Sequence, residues 1–400
     1  MLKILRTIPF YDPAFGYGGP VVHSMNVSKI QVSLGYDVRI FTSNILTNEK
    51  ISRELPKYEI KNGVKIHRFS IKYRLGKSHY FITPEIIPNF LKYNFDIIHS
   101  HSFRTFQTDV STYISKLRKK PFVFTAHGTL RDVTQFNWLT DKKKESLRVK
   151  LYDSFFKNAF INNVDQIIVH SNYEKFWTLK NGFPAKLITI IPHGVNLEEF
   201  SDISYKKKFL HRFNVKGKMI LYVGRLLRGY RNLDYLIMVM KDIIKDIKEV
   251  KLWLIGHSFD KIYELELKKL VKNLDLNNYV NFITNPTRED IIGAYQCADV
   301  VVFPITNSDS FGIPLLEAGA SKCPVISTNR GPAPELIINK KTGFLTEPEN
   351  LSQLKEYLLK ILLDDDLKRK IGENGYTNVK NNYTWEIITK RINKIYDNLI

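Results

Sequence analysis

"KMILYVGRLLRGYRNLDYLI" (218–237) is a short β-rich run, then a loop holding Gly224, Arg225 and Arg231, then the start of an amphipathic helix. It decides the fold because it restarts a pattern already present upstream. There "KILRTI" (3–8), a glycine-rich loop, the helix-like "VVHSMNVSKIQVSLG" (21–35) and "DVRIFT" (37–42) read as strand, loop, helix, strand. The first series continues through "VKIHRF" (64–69), "FDIIHSH" (95–101), "PFVFTAHG" (121–128), "VDQIIVHS" (164–171) and "KLITIIPHG" (186–194). The second continues through "VKLWLIGHS" (250–258), "VNFIT" (280–284), "DVVVFP" (299–304), "CPVIST" (323–328) and "GFLTE" (343–347). Short apolar runs alternating with helix-length amphipathic segments predict parallel sheets covered on both faces.

Between the series, "PHGVNLEEFS" (192–201) carries Pro192 and Gly194 and loses strand character, which places a hinge near 192–203. The expected organisation is an N-terminal Rossmann-like domain over 1–195 and a second over 204–383. A terminal helix in 384–400 is expected to pack back on the first. Two doubly wound domains with a cleft between them follow, and ligands of such sheets bind outside the carboxyl ends of the strands.

A chain of 400 residues with 44% hydrophobic and 12% aromatic content can bury a core in each half. Its formal net charge of +20 predicts a negatively charged partner: nucleic acid, an anionic membrane surface or a phosphorylated small molecule. No arginine-rich arm or basic stripe with stacking aromatics supports nucleic acid. The two cysteines, Cys297 and Cys323, lie in apolar segments and give neither a disulfide framework nor a zinc site, which fits a reducing compartment. The first residues run straight into a strand pattern without the marks of a signal peptide. No apolar run approaches the roughly 20 residues of a spanning helix.

Four loops carry candidate chemistry. In "YDPAFGYGGP" (11–20), Gly16, Gly18 and Gly19 precede a helix and serve either as a tight turn or as an approach for an anion; the spacing does not complete a dinucleotide fingerprint. In "TAHG", His127 follows a strand end and is either structural or aimed at a ligand. His99 and His101 in "HSHS" are read as alternating between opposite faces of an extended segment, so that both do not line one site and no third metal ligand is suggested. Arg225 and Arg231 flank the loop after the first strand of the second half, where two guanidinium groups beside a helix start suit a diphosphate; solvated surface arginines are the plainer alternative. "SDSFGIPLLEAG" (308–319) sets Asp309 and Glu317 either side of an amide-rich turn at Gly312–Leu316. A sugar hydroxyl for each acid and a phosphate for the turn make a nucleotide sugar, although a hydrolase acid pair uses the same residue types.

With these stretches in place, the chain resembles the retaining glycosyltransferases of family 4, whose GT-B arrangement has two facing Rossmann-like domains and an interdomain cleft. The resemblance covers nearly the whole length, in order: Gly18–Gly19, "HSHS", "TAHG", "IPHGVNLEEF" (191–200), "VGRL" (223–226), "FGIPLLEAGASKCPVIST" (311–328), "GPAPELI" (331–337) and "TGFL" (342–345). It implies that Glu317 holds the donor ribose and Asp309 the donor sugar. It further implies that Gly312, Ile313, Pro314, Leu315 and Leu316 offer amides to the diphosphate, and that Arg225 and Arg231 neutralise it. His127 would lie near the transferred sugar, with Gly18 and Gly19 toward the phosphate and acceptor. Two departures stand out. Asp309 is one methylene shorter than the usual glutamate. Arg231 replaces a usual lysine in a loop one residue longer, so that Arg228 is a second candidate for its role.

The expected activity is metal-independent, cofactor-free transfer, with retention of configuration, from a UDP- or GDP-sugar to a glycan or lipid-linked acceptor. The alternative is a nucleotide-sugar epimerase or a non-catalytic GT-B relative. The basic, aromatic stretches 72–81 and 142–160 suggest peripheral contact with an anionic membrane. In the second, Leu147, Leu151, Phe155 and Ala159 recur every four residues; a helix packed on its own sheet is the alternative. The expected location is cytoplasmic, at the inner membrane face.

Overall fold

The computed structural model of the chain describes residues 1–47, 50–74, 80–130, 142–229, 231–258, 260–305 and 311–400. These residues fall into two units, both Rossmann-like. The first runs from Met1 to His193 and takes back Trp385–Ile400; the second is Gly194–Thr384.

The strands of the first unit are β1 (Lys3–Thr7), β2 (Asp37–Ser43), β3 (Tyr58–Lys61), β4 (Val64–Phe69), β5 (Tyr73–Arg74), β6 (Phe81–Ile82), β7 (Ile97–His101), β8 (Phe122–Thr125), β9 (Gln166–Val169) and β10 (Ile188–Ile190). Its main sheet has the order β10-β9-β8-β7-β1-β2-β4-β3, and β5 and β6 form a separate hairpin. All pairs in the main sheet are parallel except β3 with β4.

Because side chains alternate along a strand, successive residues feed opposite faces. Leu5, Phe41, Ile98, Phe124 and Ile167 pack on one face, against Phe90 and Ile114 of the helices Ile86–Lys92 and Phe106–Arg118. Ile4, Ile40, Ile97, Val123 and Ile168 pack on the other, against Val21 and Val27 of the helix Gly19–Ser33 and Trp385, Ile388 and Ile392 of the helix Trp385–Leu399. That last helix has a narrow apolar stripe and buries it on the first unit's sheet.

The second unit holds β11 (Lys218–Val223), β12 (Val250–Ile255), β13 (Val280–Ile283), β14 (Val300–Phe303), β15 (Val325–Thr328) and β16 (Phe344–Thr346), in the order β13-β12-β11-β14-β15-β16 and wholly parallel. Near-continuous Val, Ile and Leu runs such as "VVVF" are buried on both faces, as a sheet sandwiched between helices requires. In each sheet the strand order reverses beside the first strand, between β1 and β7 in one and between β11 and β14 in the other. The loops leaving those strands' carboxyl ends are where such a sheet offers a ligand site.

Candidate functional site

In the second unit the reversal point brings together the loops after β11 and β14. Arg225 is exposed, whereas Arg231 is buried, its guanidinium 4.4 Å from the centroid of Phe303, the last residue of β14. An isolated antiparallel bridge between Arg231 and Ile305 joins the two loops directly. Arg228 points elsewhere: it is exposed, pairs with Glu266 and lies 4.0 Å from Asp260 and 5.2 Å from the Tyr263 ring.

After β14 the chain enters the helix Ile313–Ala320 through Gly312, whose φ of 91° is left-handed and favours glycine. Pro314 sits in the first turn, where its missing N–H costs no helical bond; of the five positions expected to offer amides, it therefore has none to give. The Leu315 N–H already donates to the Gly312 carbonyl at 3.0 Å, and the amides left at this helix start carry the positive end of its dipole, the property that suits them to phosphate. Asp309 lies outside the described residues.

Glu317, only 7% exposed, lies one turn into this helix. Its Oε1 accepts from Arg288 Nη1 at 2.6 Å, while Arg288 Nε and Nη2 fork onto the two carboxylate oxygens of Glu199, each at 2.8 Å. Arg288 also lies 5.3 Å from the Phe200 ring centroid. It opens the helix Arg288–Cys297, whose start is fixed by a reciprocal cap: Asp290 N–H donates to Thr287 Oγ1 at 3.1 Å and Thr287 N–H to Asp290 Oδ2 at 2.9 Å. Burial opposes the charge on Arg288, but the Glu317 and Glu199 carboxylates outweigh it and raise the guanidinium above its usual range. Beside them, burial first and the Glu317 charge second push the Tyr295 phenol well up. Sequence reasoning missed Arg288, Glu199 and Tyr295. Arg288 stands 29 positions from Glu317 with no motif of its own, and only the sheet order brings them together.

In the first unit Gly18 takes φ 74° and ψ −133°, a conformation open to glycine, and caps the helix Gly19–Ser33. Gly19 O accepts from His193 Nε2 at 3.2 Å, so the loops after β1 and β10 are joined. His127, at φ 50°, sits among other imidazoles. Its Nε2 is 2.9 Å from His101 Nδ1 and its Nδ1 is 3.0 Å from His170 Nε2, while His170 Nδ1 is 3.0 Å from the Ile191 carbonyl. His23, from the helix Gly19–Ser33, is wholly buried with its ring centroid 5.2 Å from those of both His127 and His170 and 5.3 Å from that of His193.

The expectation that His99 and His101 diverge is wrong: their rings stack at 4.5 Å. The strand period is two, so residues two apart share a face, and Ile97, His99 and His101 all point to the side covered by the helices Gly19–Ser33 and Trp385–Leu399. His99 Nε2 lies 2.7 Å from Thr125 Oγ1 and its Nδ1 bonds the Tyr396 hydroxyl. The signal that reveals the cluster is a histidine at or just past the carboxyl end of four successive strands, in "HSH", "TAHG", "VHS" and "PHG". Burial lowers the basicity of His23, His99, His101 and His127 well below the usual range and brings His170 to about 4, so the group is neutral at pH 7. Among the described residues no group of three or more His, Cys, Asp or Glu side chains is arranged to hold a metal ion.

Comparison with known proteins matches both units. The family described as Glycosyltransferase Family 4 matches residues 17–199, and Glycosyl transferases group 1 matches residues 205–378. The chain is 26% identical to an uncharacterized glycosyltransferase of Methanocaldococcus jannaschii, covering 100% of this chain and 99% of the relative. It is 29% identical to D-inositol 3-phosphate glycosyltransferase of Corynebacterium jeikeium, over 76% of this chain and 73% of that one. Among solved structures, Anabaena HepE in complex with UDP and glucose superposes with a TM-score of 0.76 at 18% identity, covering 100% of both chains. Sucrose-phosphate synthase from Thermosynechococcus elongatus superposes with a TM-score of 0.75 at 22% identity, covering 100% of this chain and 99% of that one.

Proposed function

The chain belongs to the group 1 glycosyl transferases with a family 4 N-terminal half, an enzyme of hexosyltransferase type on the GT-B fold, and from that premise we propose that it moves a sugar from a nucleoside-diphosphate sugar to a glycan or lipid-linked acceptor with retention of configuration. The observation that carries the reading is the reversal point of the second unit, where Arg231, the amide-rich start of the helix Ile313–Ala320 and the buried Glu317 occupy loops of one sheet end. Glu317, oriented by Arg288, accepts hydrogen bonds from the ribose hydroxyls. Arg225, Arg231 and the first-turn amides hold the diphosphate.

As the anomeric carbon–oxygen bond to phosphate breaks, its electron pair leaves with the nucleoside diphosphate. Cations and amides already in place stabilise that developing charge more than they stabilise the bound donor, which is what lowers a barrier. The acceptor hydroxyl oxygen forms its bond to the anomeric carbon on the face being vacated, and its proton passes to the departing phosphate oxygen. No metal ion is needed to carry the charge, and activity is expected to survive EDTA.

HepE has been captured with UDP and with UDP-glucose, which makes UDP the first nucleotide to test. On the acceptor side Leu147, Leu151 and Phe155 are all exposed, along a helical run that also presents Arg148 and Lys150. An apolar stripe beside cations fits an anionic membrane surface, and with it a cytoplasmic site for a lipid-linked acceptor. Among the described residues no helix is long and apolar enough to cross a membrane.

Thermal-shift binding over UDP-, GDP- and ADP-sugars and their free nucleotides, repeated on Glu317→Ala, tests the donor site. Stabilisation by one nucleotide class that vanishes in the variant is the expected result. Binding by none overturns the reading, and turnover of a nucleotide sugar without acceptor replaces transfer with epimerisation.

A further inference from the structure

We propose that His101 and His170 are positioning residues that fix His127 in the tautomer protonated at Nδ1, with the Ile191 carbonyl as the anchor that sets the direction of the whole chain. The catalytic consequence rests on the function proposed above; the tautomer itself does not.

The direction follows from what each atom is able to do. A neutral imidazole has one N–H and one lone pair, and a carbonyl oxygen accepts only. Ile191 O lies 3.0 Å from His170 Nδ1, so that nitrogen carries the proton and His170 Nε2 is left with a lone pair. The lone pair faces His127 Nδ1 at 3.0 Å, which must then donate. His127 Nε2 in turn has a lone pair and accepts from His101 Nδ1 at 2.9 Å. The chain ends at His101 Nε2, which is buried and has no hydrogen-bonding partner among the described residues. Reversing any one ring alone sets two lone pairs or two protons against each other at each of that ring's own contacts.

The neutrality of the rings has its own cause. All three rings are desolvated, and the nearby Arg6 guanidinium adds to the cost of charging His101.

The spacing of the chain is set by Glu174, itself 1% exposed. It lies in the first turn of the helix Asn172–Lys180, capped by Ser171 Oγ, which accepts from Glu174 N–H at 3.0 Å. One carboxylate oxygen accepts from the His170 N–H at 2.6 Å and the other from the Gly128 N–H. A single buried anion thereby ties the loop after β8 to the loop after β9. His127 and His170 are held side by side, continuing the register in which Thr125 pairs with Ile168.

With both ring nitrogens committed, His127 is held neutral and has no proton or lone pair to offer beyond the chain of imidazoles.

The test uses the full chain labelled with 15N-histidine. Two-bond 1H–15N correlation at pH 7 is expected to show His127, assigned by loss of its signals in His127→Gln, with a pyrrole-type Nδ1 and a pyridine-type Nε2. A pyrrole-type Nε2, or two protonated nitrogens, overturns the proposal. His101→Asp puts an acceptor where a donor stands and, because His170 Nε2 still accepts from Nδ1, is expected to add a proton at His127 Nε2 and to lower kcat about tenfold or more, with a smaller change in donor KM. His101→Asn, which keeps an N–H at that position, is expected to retain the wild-type tautomer and more of the activity. Equal losses in both variants with the tautomer unmoved would leave His101 a mere packing residue. Absence of turnover by the wild type with every nucleotide sugar removes the proposed function and leaves the tautomer result standing. The opposite tautomer in an active wild type removes only the present inference.

Discussion

At the strand ends of the second unit a ligand would meet ions: the Arg288 guanidinium shared between Glu317 and Glu199, with Arg231 against Phe303. At the strand ends of the first unit it would meet neutral rings. The topology is the same kind, with parallel strands reversing order beside the first one, and the sites fall at the same ends. Yet eight of the ten histidines lie in residues 1–193 and only His211 and His257 in the second unit. Opposite charges that pair across a loop stay paired over a wide pH range. A chain of imidazoles keeps its hydrogen bonds only while each ring holds a single proton. The difference shows how one architecture supports a cluster built of paired charges and another that refuses charge altogether.

The largest effect should come from removing the charged end. Glu317→Ala is expected to lower kcat/KM by about 10²–10³, the range for deleting one preorganised polar contact in an active site. Loss of less than about threefold would mean that the ionic cluster is structural and the contrast between the units is only one of packing.

Acid should separate the units. His23, His99, His101 and His127 have folded pKa values well below 6.5, and His170 about 4, so between those values and 6.5 the unfolded chain binds more protons. Their stabilisation is full above about pH 6.5 and is lost as pH falls, at up to about 1.4 kcal/mol per pH unit for each group. Calorimetry at pH 7.5 and pH 5 is expected to show the first unit's transition moving down and away from the second's. A single transition that shifts as one would break the comparison.

Arg288→Met keeps the stem against Phe200 and removes the charge. Donor KM should rise about tenfold with kcat less affected, since the carboxylate proposed to receive the ribose loses its orientation but remains in place. A fall in kcat alone would move Arg288 from binding to the chemical step.

The smallest effect sharpens the picture of the first unit, whose polar interior is not uniform. Burial pushes the Asp109 carboxyl up to about 7, against the pull of the Tyr152 and Tyr80 hydroxyls that bond it. Its folded value lies above 3.8, so this contribution is full below that pH and disappears as pH rises through 7, the reverse of the histidines. Asp109→Asn should therefore raise the melting temperature at pH 8 by roughly 2–4 °C per kcal/mol recovered and leave it nearly unchanged at pH 4.

The alternating strands and helices were legible because each run is short, apolar and bounded by turn residues. "KILRTI" and "KMILYVGRL" open their sheets, and "SFGIPLLEAG" does begin a helix at Ile313. Partnerships across the sheet were not legible. Arg288 belongs to an unremarkable "TRED", and its pairing with Glu317 depends on where β13 lies relative to β14. The four histidine loops were each visible, but their convergence requires knowing that β7, β8, β9 and β10 are consecutive neighbours. The mistaken divergence of His99 and His101 hid the one local clue. The stripe Leu147, Leu151, Phe155 kept its period, and Phe155 falls in a π-turn over Asp153–Lys157 that periodicity alone does not predict.

The helix Trp385–Leu399 has a consequence for the order in which the protein is made. Ile388, Ile392 and Tyr396 are fully buried against the sheet of the first unit, and the Tyr396 hydroxyl reaches both Arg6 and His99. On the ribosome, every strand of the first sheet emerges before any of the second, yet one face of that sheet, with the helix Gly19–Ser33 on part of it, stays incompletely covered until the second unit has been translated in full. The unit begun first is completed last. A message truncated before Trp385 therefore encodes a whole second unit joined to a first unit with part of an apolar face exposed, a product suited to recognition by chaperones and proteases.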